Sequence, residues 1–268
     1  MTKARTREWI CFAVAIIGIV FLLAYEFVGI ESLTGKFDDT EVRQMVDMTV
    51  TRFVGGVIFL AMLINLGYRV LNPLKRPFWR SLLFCAPAFL VAINNFPFVP
   101  VITGAAVIED SAPKIILLLV ECLCIGFFEE LAFRGLFLWV LEKKHRDRKW
   151  AFISVLISSA AFGLIHLINL YQSSPFSVFL QIGYSFLIGA MCSVVLLRTS
   201  NIWLCAVIHG LFNFAGAVVP TCGHGEIWDA ATVILTVIIA LLVTAYMTIA
   251  FFKTDMSLTD GIYGKNQN

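Results

Sequence analysis

Long apolar runs are the feature that most constrains how this chain can fold. A window of about 20 apolar residues, the length that crosses the hydrocarbon core of a bilayer, finds eight such runs. They cover approximately residues 9–30, 48–71, 79–102, 113–141, 150–170, 175–198, 202–219 and 227–252. Helices are the expected spanning element, because the runs are too long for barrel strands and every backbone polar group in lipid must be satisfied within its own segment. The sequence predicts an all-α, polytopic membrane helix bundle with about eight transmembrane helices.

The composition agrees with this class. The chain has 268 residues, of which 59% are hydrophobic and 14% are charged, whereas soluble domains carry about 25% charged residues. A net charge of +2 is too small to indicate a nucleic-acid partner, so membrane lipid is the expected surrounding. No stretch between the runs is long enough for a soluble domain. We therefore expect a single transmembrane domain over residues 1–268, with a motif-bearing core at about 113–219.

Basic residues indicate the orientation of the chain in the membrane. They collect before the first run, between the second and third runs, after the fourth run and after the last one. The positive-inside rule then predicts an integral, multi-pass protein with both termini in the cytoplasm, in the plasma membrane if the host is bacterial. The third run contains Pro87, Pro97 and Pro100, which are expected to kink it or end it early.

The cysteines are not expected to form a disulfide framework. Six of the seven fall inside apolar runs, where a cysteine behaves as a small hydrophobic residue. Cys122 and Cys124 suggest a metal-binding pair, but a spacing of two on a helix directs them to different faces. They are interpreted as packing residues.

The fourth run carries ionisable residues near its middle, in the stretch "GFFEELAFRG" at 126–135. Charged groups at the bilayer centre cost at least ~2.5–3.5 kcal/mol each and usually have a function. Glu130 and Arg134 are four residues apart, so they can pair on one helical face. Glu129 is then left without a partner on its own helix. The structural alternative is a buried ion pair, with Glu129 facing water or bonded to another helix.

Two histidines fall inside later runs, each with a neighbour four residues away. Phe162 precedes His166 in the fifth run, and Asn213 follows His209 in the seventh. Each histidine alone is explained by a hydrogen bond to a neighbouring helix. At 1.5 Å per residue, however, these polar residues and Glu129 lie roughly 12–24 Å from the cytoplasmic ends of their runs, so they could meet in one layer. In a dry pocket they could activate water and stabilise an oxyanion.

The spacing of these residues resembles a known family. "EELAFR" fits EExxxR, "FGLIH" fits FxxxH and "HGLFN" fits HxxxN, in that order on successive runs. The three motifs, over residues 129–213, resemble the CPBP family of intramembrane proteases. That family includes type II CAAX prenyl endopeptidases and Abi-type relatives linked to bacteriocin processing and self-immunity. The polar side chains on the motif positions are Glu129, Glu130, Arg134, His166, His209 and Asn213.

The resemblance implies an intramembrane endopeptidase that acts on a protein or peptide substrate, with a lipidated peptide among the candidates. Glu129 would be the general base that polarises a water molecule, and His166 would help to hold that water. His209 and Asn213 would donate hydrogen bonds to the oxyanion. The neighbouring ion pair would fix the helix and tune the catalytic carboxylate. Phe162 is expected to shape the cavity wall.

The sequence is compatible with the presence or absence of a metal cofactor and with more than one class of function. Glu129, His166 and His209 have the ligand types of a catalytic zinc site, but the chain has no HExxH helix. Asn213 suits an oxyanion hole, so a metal-free glutamate mechanism is favoured and a divalent metal such as zinc remains an alternative. The other functions considered are a non-catalytic bacteriocin self-immunity or partner-binding protein and a proton-coupled transporter. The transporter is disfavoured because the sequence has no internal repeat.

Overall fold

The structure is a computed structural model that describes residues 39–70, 77–142, 147–171 and 173–257 as continuous ranges. It also describes the isolated positions 6, 9, 10, 13, 17, 18 and 263. The first predicted run, residues 9–30, lies outside the continuous ranges apart from a few of these positions. The predicted orientation of the termini and the single domain over 1–268 stay predictions.

Helices account for most of the described chain. In chain order they are α1 (Thr40–Leu66), α2 (Phe78–Asn94), α3 (Phe98–Thr103), α4 (Ala112–Glu142), α5 (Arg148–Leu164), α6 (Pro175–Thr199), α7 (Ile202–Cys222) and α8 (Ala230–Phe252). A 3₁₀ helix, Ile165–Tyr171, continues α5. Two short strands, β1 (Ala106–Ile108) and β2 (Gly223–Gly225), pair antiparallel and place Val107 opposite His224.

Five of these segments are long and apolar enough to cross a membrane. They are α1, α5 together with its 3₁₀ continuation, α6, α7 and α8. The helix α2 is apolar but has 17 residues, and α4 has 31 residues and carries the ionisable residues of the fourth run. The prediction of a helical membrane bundle is confirmed, and the total of eight spans stays a prediction. The ribbon of β1 and β2 is a small addition that the all-α prediction did not contain.

The boundaries of α1 differ from the predicted run, because a helix does not have to be apolar along its whole length. The run was predicted at 48–71, whereas α1 begins at Thr40 and ends at Leu66. The Asp39 carboxylate accepts hydrogen bonds from the backbone N–H groups of Glu41 and Val42, which caps a polar first turn. Gly67 ends the helix with a left-handed φ of 95°, a conformation that glycine adopts without strain.

The prolines shorten the third run, as predicted. The helix α2 ends at Asn94, three residues before Pro97, and the chain then forms the six-residue helix α3, which contains Pro100. A proline lacks the N–H that would continue the helix and restricts the residue before it. Pro87, in contrast, remains inside α2.

The helices α4 and α7 are held together at two places. At mid-length their backbones approach closely: a Cβ atom added to Gly126 would lie 2.4 Å from the Ala206 carbonyl oxygen. At one end, β1 precedes α4 and β2 follows α7, and the backbone N–H groups of Glu109 and Asp110 both donate to the Cys222 carbonyl oxygen. Small residues permit such close backbone contacts between membrane helices. The relative position of α4 and α7 is therefore fixed.

Candidate active site

One stripe of α4 supplies the centre of the candidate site. Gly126, Glu130 and Arg134 are spaced by four residues, so they lie on one side of the helix, and all three are buried. Gly126 brings α7 into contact with this stripe, and the two charged residues follow on the next two turns. Glu129 lies beside the stripe and keeps 18% of its side chain exposed.

The buried charges of α4 form the ion pair that their spacing predicts. Arg134 Nε lies 3.0 Å from Glu130 Oε2, and neither side chain is exposed. Arg134 Nη1 donates a hydrogen bond to Ser193 Oγ, 2.7 Å away, and another to the Gly189 carbonyl oxygen; both acceptors belong to α6. A buried charge is tolerated when it is paired and hydrogen-bonded. The pair therefore connects α4 to α6.

His209 of α7 lies between the two adjacent glutamates. Its Nδ1 is 3.0 Å from Glu130 Oε1, and its Nε2 is 3.4 Å from Glu129 Oε2. A carboxylate accepts, so Nδ1–H donates to Glu130, which sets the orientation of the ring. Glu129, which has no partner on its own helix, thus has one on α7. The contacts run from Arg134 through Glu130 and His209 to Glu129, and we call these four residues the relay.

The contact between His209 Nε2 and Glu129 Oε2 depends on where protons are bound. When His209 Nδ1 carries a hydrogen, its Nε2 and the facing Glu129 oxygen would meet as two lone pairs unless a proton lies on one of them. A proton on either group removes this repulsion. The separation of 3.4 Å is longer than an ordinary N–H···O hydrogen bond. Glu129 consequently stays available for another partner.

Phe162 contacts both predicted histidines. Its buried ring has its centroid 5.3 Å from that of His209 and 5.4 Å from that of His166, with edge-to-face geometry in both cases. His166, in the 3₁₀ helix, donates from Nδ1 to the Phe162 carbonyl oxygen at 2.9 Å, and its Nε2 makes no hydrogen bond to the residues that the structure describes. In the described residues, His166 makes no hydrogen bond to either glutamate. Among the described residues, Phe162 is thus the side chain that touches both His166 and the relay.

The position of Asn213 near the relay follows only from its place on helix α7. It is partly buried and lies one turn beyond His209 on α7. Among the described residues its side chain makes no hydrogen bond to Glu129 or His209. The structure therefore joins four of the six predicted site residues by direct contacts and places His166 and Asn213 nearby.

The predicted zinc ligands do not come together in this geometry. Within the part of the chain that the structure describes, the donor atoms of Glu129, His166 and His209 do not gather within 4.8 Å of one another. His166 is the residue that stands apart, because Glu129 Oε2 and His209 Nε2 lie 3.4 Å from each other. These three residues do not fit a metal in this arrangement, and the favoured metal-free mechanism stays a prediction.

Sequence reasoning missed several residues that build the site. Gly189 and Ser193 bind the Arg134 guanidinium, and Tyr184 of α6 lies close enough to Glu129 to interact with its charge. Gly126 provides the contact between α4 and α7. The available signal was weak: a glycine and a serine four residues apart in α6, and a tyrosine in an apolar run. A contact between two particular side chains on different helices has no fixed spacing in the sequence by which it could be predicted.

A membrane helix bundle with a carboxylate–imidazole–carboxylate group inside it is the class of protein that the fold and the site define. Comparison with protein families makes the relationship specific. The model of the family described as type II CAAX prenyl endopeptidase Rce1-like matches residues 111–215. These residues match the model of an Rce1-like domain, which belongs to a protease family, and the resemblance to the CPBP family is confirmed. No curated protein and no solved structure matches the chain significantly.

The match covers about two fifths of the chain and contains every predicted site residue. It begins just before α4 and ends within α7. The helices α1, α2 and α8 pack around this domain and lie outside the matched range. The chain is an integral membrane protein that carries this domain.

Proposed function

We propose that the protein is an intramembrane endopeptidase in which Glu129 activates the water that cleaves a peptide bond. The observation that carries this proposal is the relay, which starts at a fully buried guanidinium and ends at a partly exposed carboxylate. Its buried members are neutralised and hydrogen-bonded within the protein. Glu129 is the most exposed member and can meet a water molecule, and His209 Nε2 lies beside it at 3.4 Å.

The proposed reaction is a general-base hydrolysis. With a proton on His209 Nε2, the Glu129 carboxylate removes a proton from water, whose oxygen attacks the carbonyl carbon of the scissile bond. The oxyanion accepts hydrogen bonds from His209 Nε2–H and from the Asn213 amide. The carbon–nitrogen bond then breaks, and Glu129 returns its proton to the amine leaving group. His166 orients the attacking water through its free Nε2.

Glu130 and Arg134 act in this scheme as positioning residues. Glu130 holds His209 Nδ1–H and so directs Nε2 towards Glu129, at the distances given above. Arg134 compensates the charge of Glu130 and anchors it to α6 through Ser193. Neither side chain is exposed, so neither touches the substrate. The substrate is a protein or peptide reached from the membrane, and a lipidated C-terminal peptide is the form that the family match favours.

The test compares cells that express the wild-type chain with cells that express Glu129→Gln or Glu129→Ala. Membrane proteomics should show a precursor that accumulates with both variants and disappears with the wild type. Glu121→Gln is the matched control, because Glu121 is another partly buried glutamate of α4, two turns earlier and outside the relay. It should process the precursor normally.

The alternatives predict different results in the same strains. A self-immunity or partner-binding protein keeps its protective effect with Glu129→Gln and leaves no precursor, and that outcome would refute the hydrolase. A proton-coupled transporter would instead show proton flux in liposomes that the Glu129 substitution abolishes.

A further inference from the structure

Two buried cysteines lie against the inner member of the relay. Cys192 of α6, Cys205 of α7 and Glu130 of α4 each offer a ligand atom, and these three atoms lie within 4.8 Å of one another. None of the three side chains is exposed. Cys205 Sγ donates to the Cys192 carbonyl oxygen at 3.2 Å, so both thiols are free and no disulfide joins them. Three different helices therefore converge on one small dithiol–carboxylate cluster.

We propose that this cluster is a binding site for one thiophilic divalent ion of the Zn²⁺ type. Two thiolates and a carboxylate are ligands that zinc accepts, at about 2.3 Å for sulfur and about 2.0–2.2 Å for oxygen. The ligand atoms of a tetrahedral site built with these bonds are separated by about 3.6–3.8 Å. Inward movements of about 1 Å from the present upper bound of 4.8 Å would suffice, which rotamer adjustment supplies. The site is separate from Glu129.

The charges around the cluster are compatible with such an ion. In the free protein Glu130 and Arg134 neutralise each other, and the Cys205 thiol donates its hydrogen to the Cys192 carbonyl oxygen. A bound divalent ion brings two positive charges and releases the protons of Cys192 and Cys205 as it forms its sulfur bonds. The net charge of this buried region is therefore unchanged. Arg134 also keeps two acceptors that do not belong to the cluster, the Gly189 carbonyl and Ser193.

An access route leads from the partly exposed end of the relay. Glu129 has 18% of its side chain exposed, and His209 connects it to Glu130. An ion can thus pass from carboxylate to imidazole to the buried thiols. Once bound, it draws Glu130 away from His209 Nδ1, which removes the contact that directs His209 towards Glu129. Zn²⁺ should therefore inhibit peptide cleavage, an expectation that rests on the proposed function.

The binding test uses Cd²⁺ alone as the probe, added to the purified full-length protein in detergent after reduction and removal of metals. One equivalent should produce the ultraviolet sulfur-to-cadmium charge-transfer band, and Zn²⁺ should displace it. The double variant Cys192→Ala/Cys205→Ala should lose the band. Cys122→Ala/Cys222→Ala is the matched control, because this second pair of buried thiols shares one apolar cluster without a carboxylate ligand. It should keep the band.

The proposal is overturned if the wild type gives no band, or if the band survives in Cys192→Ala/Cys205→Ala and disappears in the control. Cys192→Ser is a milder variant, which should weaken the band if the double variant fails to fold. A cleavage assay tests the expected inhibition. Zn²⁺ should lower the activity of the wild type, whereas the double variant should have the same activity with and without Zn²⁺. A chain without any peptidase activity would refute the proposed function, and the cadmium titration would still decide the site.

Discussion

Gly126→Ala should separate α4 from α7 and so disrupt the candidate site. The new Cβ atom would lie 2.4 Å from the Ala206 carbonyl oxygen and 2.7 Å from the Gly210 nitrogen. Both neighbours are backbone atoms, which a rotamer change cannot move. Ordinary van der Waals contact begins at 3.4 Å, so the helices must move apart by about 1 Å at this point.

The same displacement acts on the relay one turn further along α4. The separation of His209 from Glu130 would grow from 3.0 Å, and that from Glu129 from 3.4 Å, each by about 1 Å. A misplacement of about 1 Å can reduce a rate about 10²-fold. Overpacking a tight contact also costs about 1–3 kcal/mol of stability. Both losses are expected from a single methyl group.

Thermal unfolding in detergent, followed with a thiol-reactive dye, measures the stability loss, because most of the described cysteines are buried in the folded protein. Cleavage of the precursor identified by the Glu129 comparison measures the loss of activity. Gly183→Ala is the matched control: it makes the same change in a membrane helix, α6, and a Cβ there meets nothing within 4 Å. It should resemble the wild type in both assays.

The result that would refute this reasoning is a Gly126→Ala protein that unfolds and cleaves like Gly183→Ala. The close approach of α4 and α7 would then not set the geometry of the site. A destabilised variant that retains full activity would refute only the link between helix spacing and the relay.

Three further changes test other parts of the structure. Glu130→Gln leaves the buried Arg134 charge uncompensated and should lower the free energy of unfolding by about 3–5 kcal/mol, which denaturation of the purified protein measures. Ser193→Ala removes one of the acceptors of Arg134 and should cost about 1–3 kcal/mol in the same assay, with a smaller loss of activity. Hydrogen bonding to Thr232 lowers the pKa of Asp229, the N-cap of α8, so its stabilising effect is present above its unfolded-state pKa and is lost as the pH falls through the lower folded-state value. Asp229→Asn should keep the cap and remove this acid sensitivity in pH-dependent melting curves; an unchanged pH profile would contradict that assignment.

The apolar runs predicted most of the helices well, because a membrane imposes its thickness on the sequence. The run at 175–198 corresponds to α6, Pro175–Thr199, and the run at 113–141 corresponds to α4, Ala112–Glu142. Polar ends were less predictable. The first turns of α1 are hydrophilic and capped by Asp39, so an apolar window begins too late. The ribbon of β1 and β2 was missed because three-residue strands contain too little pattern to detect.

Within the candidate site, the sequence predicted contacts along a helix better than contacts between helices. The pairing of Glu130 with Arg134 follows from their spacing of four residues. The contact of His209 with Glu130 depends on how α4 and α7 pack. The depth of each residue along its helix, estimated from the sequence, predicts only the membrane layer in which the two side chains could meet. His166 was expected in that layer too, but depth does not reveal that its Nδ1 bonds to the Phe162 carbonyl oxygen and that its ring contacts Phe162. The roles assigned to these residues stay predictions.

The double attachment of α4 to α7 determines where the bundle can open. The glycine contact and the β ribbon prevent these two helices from parting, so a substrate cannot enter between them. The end of α5 is different, since it passes into a 3₁₀ helix whose hydrogen bonds are of poorer geometry, and this segment carries His166. Under the proposed function, a polypeptide that arrives from the lipid would therefore displace this 3₁₀ segment, while α4 and α7 keep their relative position.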